Sequence, residues 1–173
     1  KLLARQVAST MGYTACFLPK PVAGINGTGM HTNMSLAQIQ PDGSTKNMFY
    51  DVNAKYKLSE IAHRFLTGIL YYGQDLCLAI NSSVNSYRRL DPAFEAPNEI
   101  KCSSTDRGSM IRIPIGNEKS SRIEVRTVAP DANPYLVFYT LLKAGLAAVD
   151  ASAEDFKKME HAVYDSPIQK LPG

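Results

Sequence analysis

The stretch Arg122-Ile123-Glu124-Val125-Arg126 alternates charged and β-branched residues with a period of two. Side chains of a β-strand point alternately to opposite faces of the sheet, so this stretch predicts a strand with one polar and one apolar face. Arg112 lies in the same way between two isoleucines, and a strand that begins at His31 would place every second residue beside them. If these strands share a sheet, its polar face carries a histidine, a glutamate and several arginines.

Two amphipathic segments supply helices for the apolar face of this sheet. Ser59 can cap a helix with a broad apolar stripe from Ile61 to Leu70, and Asn133-Pro134 is a cap followed by a proline that opens a second helix. The second helix is apolar nearly all round, which predicts a buried helix. We therefore expect one domain over residues 1–173 with an α+β fold: a mostly antiparallel sheet with a polar active-site face, packed by helices on its other face.

Three further segments carry local predictions. Residues 2–8 have the composition of the middle of a helix, and residues 13–18 predict a strand that is closed by Pro19. Residues 81–108 show neither the helical nor the strand period, which predicts a long loop with a functional role.

Composition excludes several classes of partner. Nineteen basic and 16 acidic residues give a net charge of +3 without a long basic run, so nothing indicates nucleic acid binding. No apolar run approaches the roughly 20 residues of a membrane span, so no membrane contact is expected. Three scattered cysteines fit neither a disulfide framework nor a CxxC metal site, and they favour a reducing, cytoplasmic location.

The polar face allows two interpretations. His31 and Glu124 are candidate metal ligands, and Arg112, Arg122 and Arg126 are candidate forks for phosphate or carboxylate, a combination that suits a nucleotide phosphate and its metal. The alternative is an ordinary sheet with one face in water. The glycine-rich segment 24–29 could likewise bind an anion through its amides or form a plain turn.

Five motifs in this order resemble the glutamine synthetase family, most closely its bacterial type I. The resemblance extends from about Met11 to Leu146, and the chain resembles the carboxy-terminal part of the family's catalytic domain. The motifs are Asn26-Gly27-Thr28-Gly29-Met30-His31, Asn85-Ser86-Tyr87-Arg88-Arg89-Leu90 with Phe94-Glu95-Ala96-Pro97, Ile111-Arg112-Ile113-Pro114, Arg122-Ile123-Glu124-Val125-Arg126 and Ala132-Asn133-Pro134-Tyr135-Leu136.

The resemblance implies a role for each matching residue. His31 and Glu124 would hold a magnesium or manganese ion, and Ser35, Arg112 and Arg122 would bind ATP. Asn26, Gly27, Arg89 and Arg126 would bind glutamate. Glu95 would be a flap residue that shields the intermediate and helps to deprotonate ammonium, while Arg126 and the neighbouring Arg107 would act on the phosphoryl group in transfer.

The resemblance also implies the reaction and its setting. Glutamate would attack ATP to give γ-glutamyl phosphate, which ammonia converts to glutamine, in a cytoplasmic enzyme whose identical subunits form stacked rings. The family's remaining acidic metal ligands would precede Lys1, so we expect the chain to be a piece of a longer protein and to be inactive alone. A related ligase that joins glutamate to a polyamine, and a non-catalytic assembly module, are the alternatives.

One tyrosine in the weaker tail has two interpretations. Tyr164, followed by Asp165, resembles the tyrosine that some bacterial members adenylylate, but an ordinary tyrosine at a helix end is the favoured interpretation.

Overall fold

The computed structural model describes residues 1–172. It contains six α-helices and six strands, with a short 3₁₀ turn at Lys55–Lys57. The helices are α1 Leu2–Thr10, α2 Glu60–Tyr71, α3 Gly73–Ile80, α4 Val84–Arg89, α5 Pro134–Val149 and α6 Ala153–Tyr164. The strands are β1 Thr32–Met34, β2 Ala37–Ile39, β3 Thr45–Asn47, β4 Glu99–Ser103, β5 Ser109–Arg112 and β6 Ile123–Val125.

The main sheet has four strands in the order β1-β6-β5-β4. Strands β1 and β5 pair antiparallel with β6, whereas β4 pairs parallel with β5, and β2 and β3 form a separate antiparallel hairpin. The expected α+β fold with a mostly antiparallel sheet is confirmed. The predicted strand over residues 31–36 is shorter than expected, since only its middle three residues pair with β6.

The two faces of the main sheet differ as the alternation predicts. Ile111, Ile123 and Val125 are fully buried on one face, where they join the hydrophobic core. Glu124 and Arg112 occupy the other face, opposite each other on neighbouring strands. The polar face is only partly open to water, because Glu124 is itself 8% exposed.

Helix α2 begins where Ser59 predicts it. The Ser59 hydroxyl accepts a hydrogen bond from the Ala62 amide at 3.2 Å, which satisfies one of the free amides of the first turn. Phe65, Ile69 and their apolar neighbours are buried in the core, so the predicted core-facing stripe is confirmed.

Helix α5 begins at Pro134, with the Asn133 side chain capping the Tyr135 amide. It packs against α2 through Val137, Leu141 and three small residues that follow. The expectation that it is buried all round is wrong, because Tyr135, Phe138 and other apolar residues lie exposed on its second face. The all-apolar sequence predicts that neither face of the helix lies in water. Within residues 1–172, however, only one face is covered by other residues.

The predicted strand over residues 13–18 does not form. Helix α1 is present as expected, and Tyr13 closes it by donating its amide to the Ala8 carbonyl at 2.9 Å. The following residues have no regular secondary structure, and Tyr13 and Leu18 are exposed. A strand needs a neighbour to pair with, and within residues 1–172 this segment has none.

The segment 81–108 is more regular than a long loop. It contains helix α4 and strand β4, and α4 begins with a capping box in which Ser83 and Ser86 satisfy each other's backbone. Both serine hydroxyls also donate to Asp131, at 2.6 and 3.2 Å. These contacts fix α4 beside the segment that leads into α5.

No single helix within residues 1–172 is long and apolar enough to cross a membrane. Helices α5 and α6 have that length and apolarity only as a pair, and a bend of 119° separates them.

Candidate functional site

The polar face of the sheet brings three rows of side chains together. Asn33 on β1 lies opposite Glu124 on β6, and Glu124 lies opposite Arg112 on β5. Continuing the antiparallel register of β1 and β6 places His31 opposite Arg126 and Ser35 opposite Arg122. Six of the residues that the sequence singled out, and Asn33 with them, therefore share one face.

Glu124 forms the centre of this face. One carboxylate oxygen lies 2.8 Å from His31 Nδ1, and the other accepts a hydrogen bond from Arg112 Nη1 at 2.6 Å. Burial raises the pKa of Glu124, but the hydrogen bond from Arg112 and the charge of His31 outweigh it, so the pKa is lowered overall. The carboxylate is therefore ionised at neutral pH.

The charge state of the His31 imidazole bears on whether it can bind a metal. Burial lowers its pKa most, and the charge of Arg126 lowers it further, while Glu124 acts in the opposite direction. The net result is a pKa below the usual value for histidine, which favours a neutral imidazole at pH 7. A neutral imidazole nitrogen is a metal ligand.

The donor pair fits a divalent cation. Glu124 Oε1 and His31 Nδ1 are 2.8 Å apart, and a divalent ion held by both would take the place of the proton that now lies between them. Magnesium sites commonly use one or two protein ligands and complete their shell with phosphate oxygens and water. No group of three or more metal-binding side chains gathers anywhere within residues 1–172. The pair could thus hold an ion only together with oxygens from another source.

A cavity of about 400 Å³ adjoins the end of this face. It is lined by Ser35, Asn47, Lys119 and their neighbours. Asn47 donates to the Ser121 carbonyl at 2.8 Å and so joins β3 to the segment before β6. Arg122 is not among the lining residues; its Nε donates to Asn33 Oδ1 on the polar face at 2.8 Å.

Arg89 is buried, and backbone carbonyls already accept most of its guanidinium hydrogens. It is 4% exposed, and its guanidinium donates to three consecutive backbone carbonyls, those of Arg126, Thr127 and Val128, at 2.8 to 3.3 Å. Burial lowers the pKa of Arg89 to about 10, with a further contribution from the charge of Arg126. The Nε–H and one Nη2 hydrogen remain for another acceptor.

The glycine-rich segment packs directly on this arginine. A Cβ on Gly29 would lie 2.5 Å from Arg89 Nη2 and 3.0 Å from the His31 ring, and a Cβ on Gly27 would lie 2.4 Å from the Pro19 carbonyl. Both positions therefore require glycine because of close approach. The segment therefore packs tightly against both Arg89 and His31.

Asn26, Glu95 and Arg107 form a second group at the edge of the site. The Glu95 amide donates to Asn26 Oδ1 at 3.2 Å, and the Glu95 carboxylate pairs with Arg107 at 2.7 Å. Arg126, which is 7% exposed, donates to the Arg107 carbonyl. Burial most strongly lowers the pKa of Arg126, and its Nε has no hydrogen-bond partner within the described residues.

Three contributors were not predicted. Lys119 and Asn47 line the cavity, and Lys20 lies against Phe94, the residue before Glu95. No local period in the sequence marks these three residues, since each reaches the site through folding contacts. Asn33, which alternates with His31 and Ser35, was identifiable from the strand pattern.

Comparisons with known proteins identify the family of this chain. A family model described as the glutamine synthetase catalytic domain matches residues 1–173. A glutamine synthetase from Thermus thermophilus is 38% identical over 170 residues, which cover 98% of this chain and 37% of that protein. One from Pasteurella multocida is 44% identical over 173 residues, which cover 99% of this chain and 35% of that protein.

A solved structure of a glutamine synthetase has a similar fold. The cryo-EM structure of Plasmodium falciparum glutamine synthetase matches with a TM-score of 0.76 and 31% identity, over 86% of this chain and 28% of that chain. This chain spans well under half the length of each of these relatives. With the family model matched from end to end, the chain belongs to the glutamine synthetase catalytic-domain family.

Proposed function

We propose that this chain is the carboxy-terminal part of the catalytic domain of an ATP-dependent ligase that forms glutamine from glutamate and ammonia. The observation that carries the proposal is the contact of Glu124 with both His31 and Arg112 on one sheet face, next to a cavity of about 400 Å³. A carboxylate, an imidazole and an arginine so placed suit a metal-bound nucleotide phosphate.

The nucleotide would lie along the polar face. Arg112 and Arg122 would bind phosphate oxygens, with Ser35 in the cavity beside them. His31 and Glu124 would hold a magnesium or manganese ion, which neutralises charge on the phosphates when bound. Lys119, which also lines the cavity, is a further cation on the nucleotide side.

Glutamate would bind at the other end of the face. Asn26 and Gly27 would contact its backbone and Arg89 its α-carboxylate, through the guanidinium hydrogens that the backbone carbonyls leave free. Arg126 would contact the side-chain carboxylate, since its buried Nε points to no partner within residues 1–172. A hydrogen bond from this charged donor to a carboxylate is favoured because the donor is already out of water and has no partner to give up.

The reaction would take two steps on these residues. The γ-carboxylate of glutamate attacks the terminal phosphorus of ATP, the bond to ADP breaks, and γ-glutamyl phosphate forms, with Arg126 and Arg107 neutralising the transferred group. Ammonia then attacks the acyl carbon and phosphate leaves. Glu95 would shield the acyl phosphate and accept a proton from the entering ammonium.

Turnover would require more of the polypeptide than this chain contains. Residues 1–172 bring only two metal ligands together, and the chain spans 35 to 37% of the two bacterial relatives. We propose that further ligands and the ammonium pocket lie in the rest of a longer, cytoplasmic protein, and that identical subunits assemble in stacked rings. The isolated chain would then be inactive.

Calorimetric titration of ATP with excess MgCl₂ into the chain tests the nucleotide site. We expect binding that weakens about 10-fold or more in Arg112→Ala, because a charge-assisted hydrogen bond to phosphate is lost. Arg88→Ala is the control, since Arg88 is exposed and lies outside the face. Equal binding by both variants, or by none of the three proteins, would contradict the nucleotide site.

The acceptor is tested on the full-length protein. Glutamine formation from ammonia, with no product from putrescine, is the expected result. A preference for putrescine would instead identify a polyamine ligase that shares the glutamate and metal residues.

A further inference from the structure

One ammonium group connects the glycine-rich segment to the segment that carries Glu95. Lys20 Nζ lies 3.5 Å from the centroid of the Phe94 ring, and it also donates a hydrogen bond to the Ile25 carbonyl. Ile25 immediately precedes Asn26, and Phe94 immediately precedes Glu95. The Lys20 ammonium therefore contacts the residue before each partner of the Asn26–Glu95 hydrogen bond.

The backbone of Lys20 is itself anchored. Its amide donates to Asn85 Oδ1 at 2.7 Å, and Asn85 Nδ2 donates back to the Lys20 carbonyl at 3.0 Å. Asn85 belongs to α4, whose capping serines are tied to Asp131. The backbone of Lys20 is thus anchored on α4, so its side chain can position the segment 91–97.

Glu95 itself has few other contacts. Its ion pair with Arg107 joins two side chains that are 61% and 66% exposed, so water and salt screen it. Its amide makes one hydrogen bond, to Asn26. A cation held over the face of an aromatic ring adds an attraction that does not depend on the carboxylate, which leaves Glu95 free to exchange protons.

We propose that Lys20 is a positioning residue for Glu95, holding the segment 91–97 against the glycine-rich segment through the Phe94 ring. The inference rests on the proposed function only for the role of Glu95 in catalysis. The contact itself predicts a rate of amide hydrogen exchange at Glu95 that can be measured on this chain without substrate.

Residue-resolved amide hydrogen exchange, measured by NMR on the 173-residue chain, tests this positioning. In Lys20→Met, which keeps the stem but removes the charge, we expect the Glu95 amide to exchange about 3- to 20-fold faster. Lys20→Arg keeps a cation over the ring and should restore exchange to within about twofold of the parent. Lys157→Met, an exposed lysine on α6, is the matched control and should change nothing.

A second variant keeps the test decisive if Lys20→Met fails to fold. Phe94→Leu removes the ring and should loosen the Glu95 amide to a similar extent, and the double variant should be no looser than either single one. Glu95 exchange within twofold of the parent in a folded Lys20→Met or Phe94→Leu protein overturns the positioning role.

The same variants separate this inference from the proposed function. In the full-length protein, Lys20→Met should lower kcat about 10-fold with little change in the KM for ATP, and Lys20→Arg should recover most of it. Faster Glu95 exchange in a full-length protein that forms no glutamine would leave the positioning role intact and overturn the function. Unchanged exchange in an active enzyme would do the reverse.

Discussion

His31 Nδ1 and Glu124 Oε1 lie 2.8 Å apart across two neighbouring strands. The second oxygen of Glu124 is held by Arg112, so the carboxylate is fixed in position before any ligand arrives. The side chains of His31 and Glu124 would hold a divalent ion together, which makes this pair the structural basis of the proposed nucleotide and metal site.

Glu124→Gln should weaken Mn²⁺ binding in the presence of ATP by at least about 10-fold. An amide oxygen carries no net charge, and the hydrogen bond from Arg112 then leaves little basicity for a metal. Loss of the free Mn²⁺ signal in electron paramagnetic resonance measures binding. Glu154→Gln, an exposed glutamate on α6, is the control, and equal Mn²⁺ affinity in the two variants would remove Glu124 from the site.

Gly29→Ala should disturb the same site without changing any charge. The new methyl group would lie 2.5 Å from Arg89 Nη2 and 3.0 Å from the His31 ring, so one of the two must shift. We expect about 10-fold weaker Mn²⁺ binding with a folded circular dichroism spectrum. Gly108→Ala is the matched control, because its nearest neighbours are side-chain oxygens of Asp106 and Asn98 at 3.3 Å and beyond that can move.

Arg89→Met should lower the free energy of unfolding by about 3 kcal/mol, because three backbone carbonyls lose their buried donor. Arg89→Lys should lie between the parent and Arg89→Met, since an ammonium cannot span the same fork. Urea unfolding followed by fluorescence or circular dichroism gives these values. Arg88→Met, on the exposed side of α4, should change the free energy of unfolding by no more than about 0.5 kcal/mol. A similar loss in both variants would contradict the stabilising role of the Arg89 hydrogen bonds.

Tyr164 should make the fold sensitive to alkali. Burial raises the pKa of its hydroxyl, which lies 3.0 Å from Thr67 Oγ1, although the residue as a whole is 42% exposed. Because the folded pKa lies above the unfolded value of about 10, the contribution is complete below pH 10 and is lost as pH rises above it. The position of Tyr164 at the end of α6 fits an ordinary helix-end residue, and its modification stays a prediction.

Thermal unfolding between pH 8 and 11 measures this contribution. Tyr164→Phe should cost about 1 kcal/mol at pH 8 for the lost hydrogen bond, and its Tm should fall less steeply than that of the parent above pH 10. Tyr13→Phe, which alters an exposed tyrosine, is the control. Parallel pH profiles for parent and Tyr164→Phe would show that the hydroxyl ionises equally in both states.

Much of this site was predictable because its signals are local. The alternation around Glu124 fixes which residues share a face, and the caps at Ser59 and Asn133 fix where α2 and α5 begin. Family resemblance then grouped residues that lie far apart in the chain. The fold class and the family are confirmed, whereas the individual roles of the site residues stay predictions.

The remaining features depend on contacts that no local pattern encodes. Arg89 donates to carbonyls 37 to 39 residues away, so sequence alone does not reveal that most of its donors serve the fold. Residues 13–18 have strand composition but no partner strand within residues 1–172. The apolar sides of α5 predict burial, yet which of them is covered depends on what packs there.

Glutamine formation by two proteins tests the central claim most directly: the purified 173-residue chain and the longer protein that we propose contains it, each with glutamate, ammonia, ATP and Mg²⁺. We predict no glutamine from the chain alone, glutamine from the full-length protein, and loss of that activity when Glu124 is changed to Gln. Glutamine made by the chain alone, or a full-length Glu124→Gln enzyme with undiminished turnover, would contradict the account.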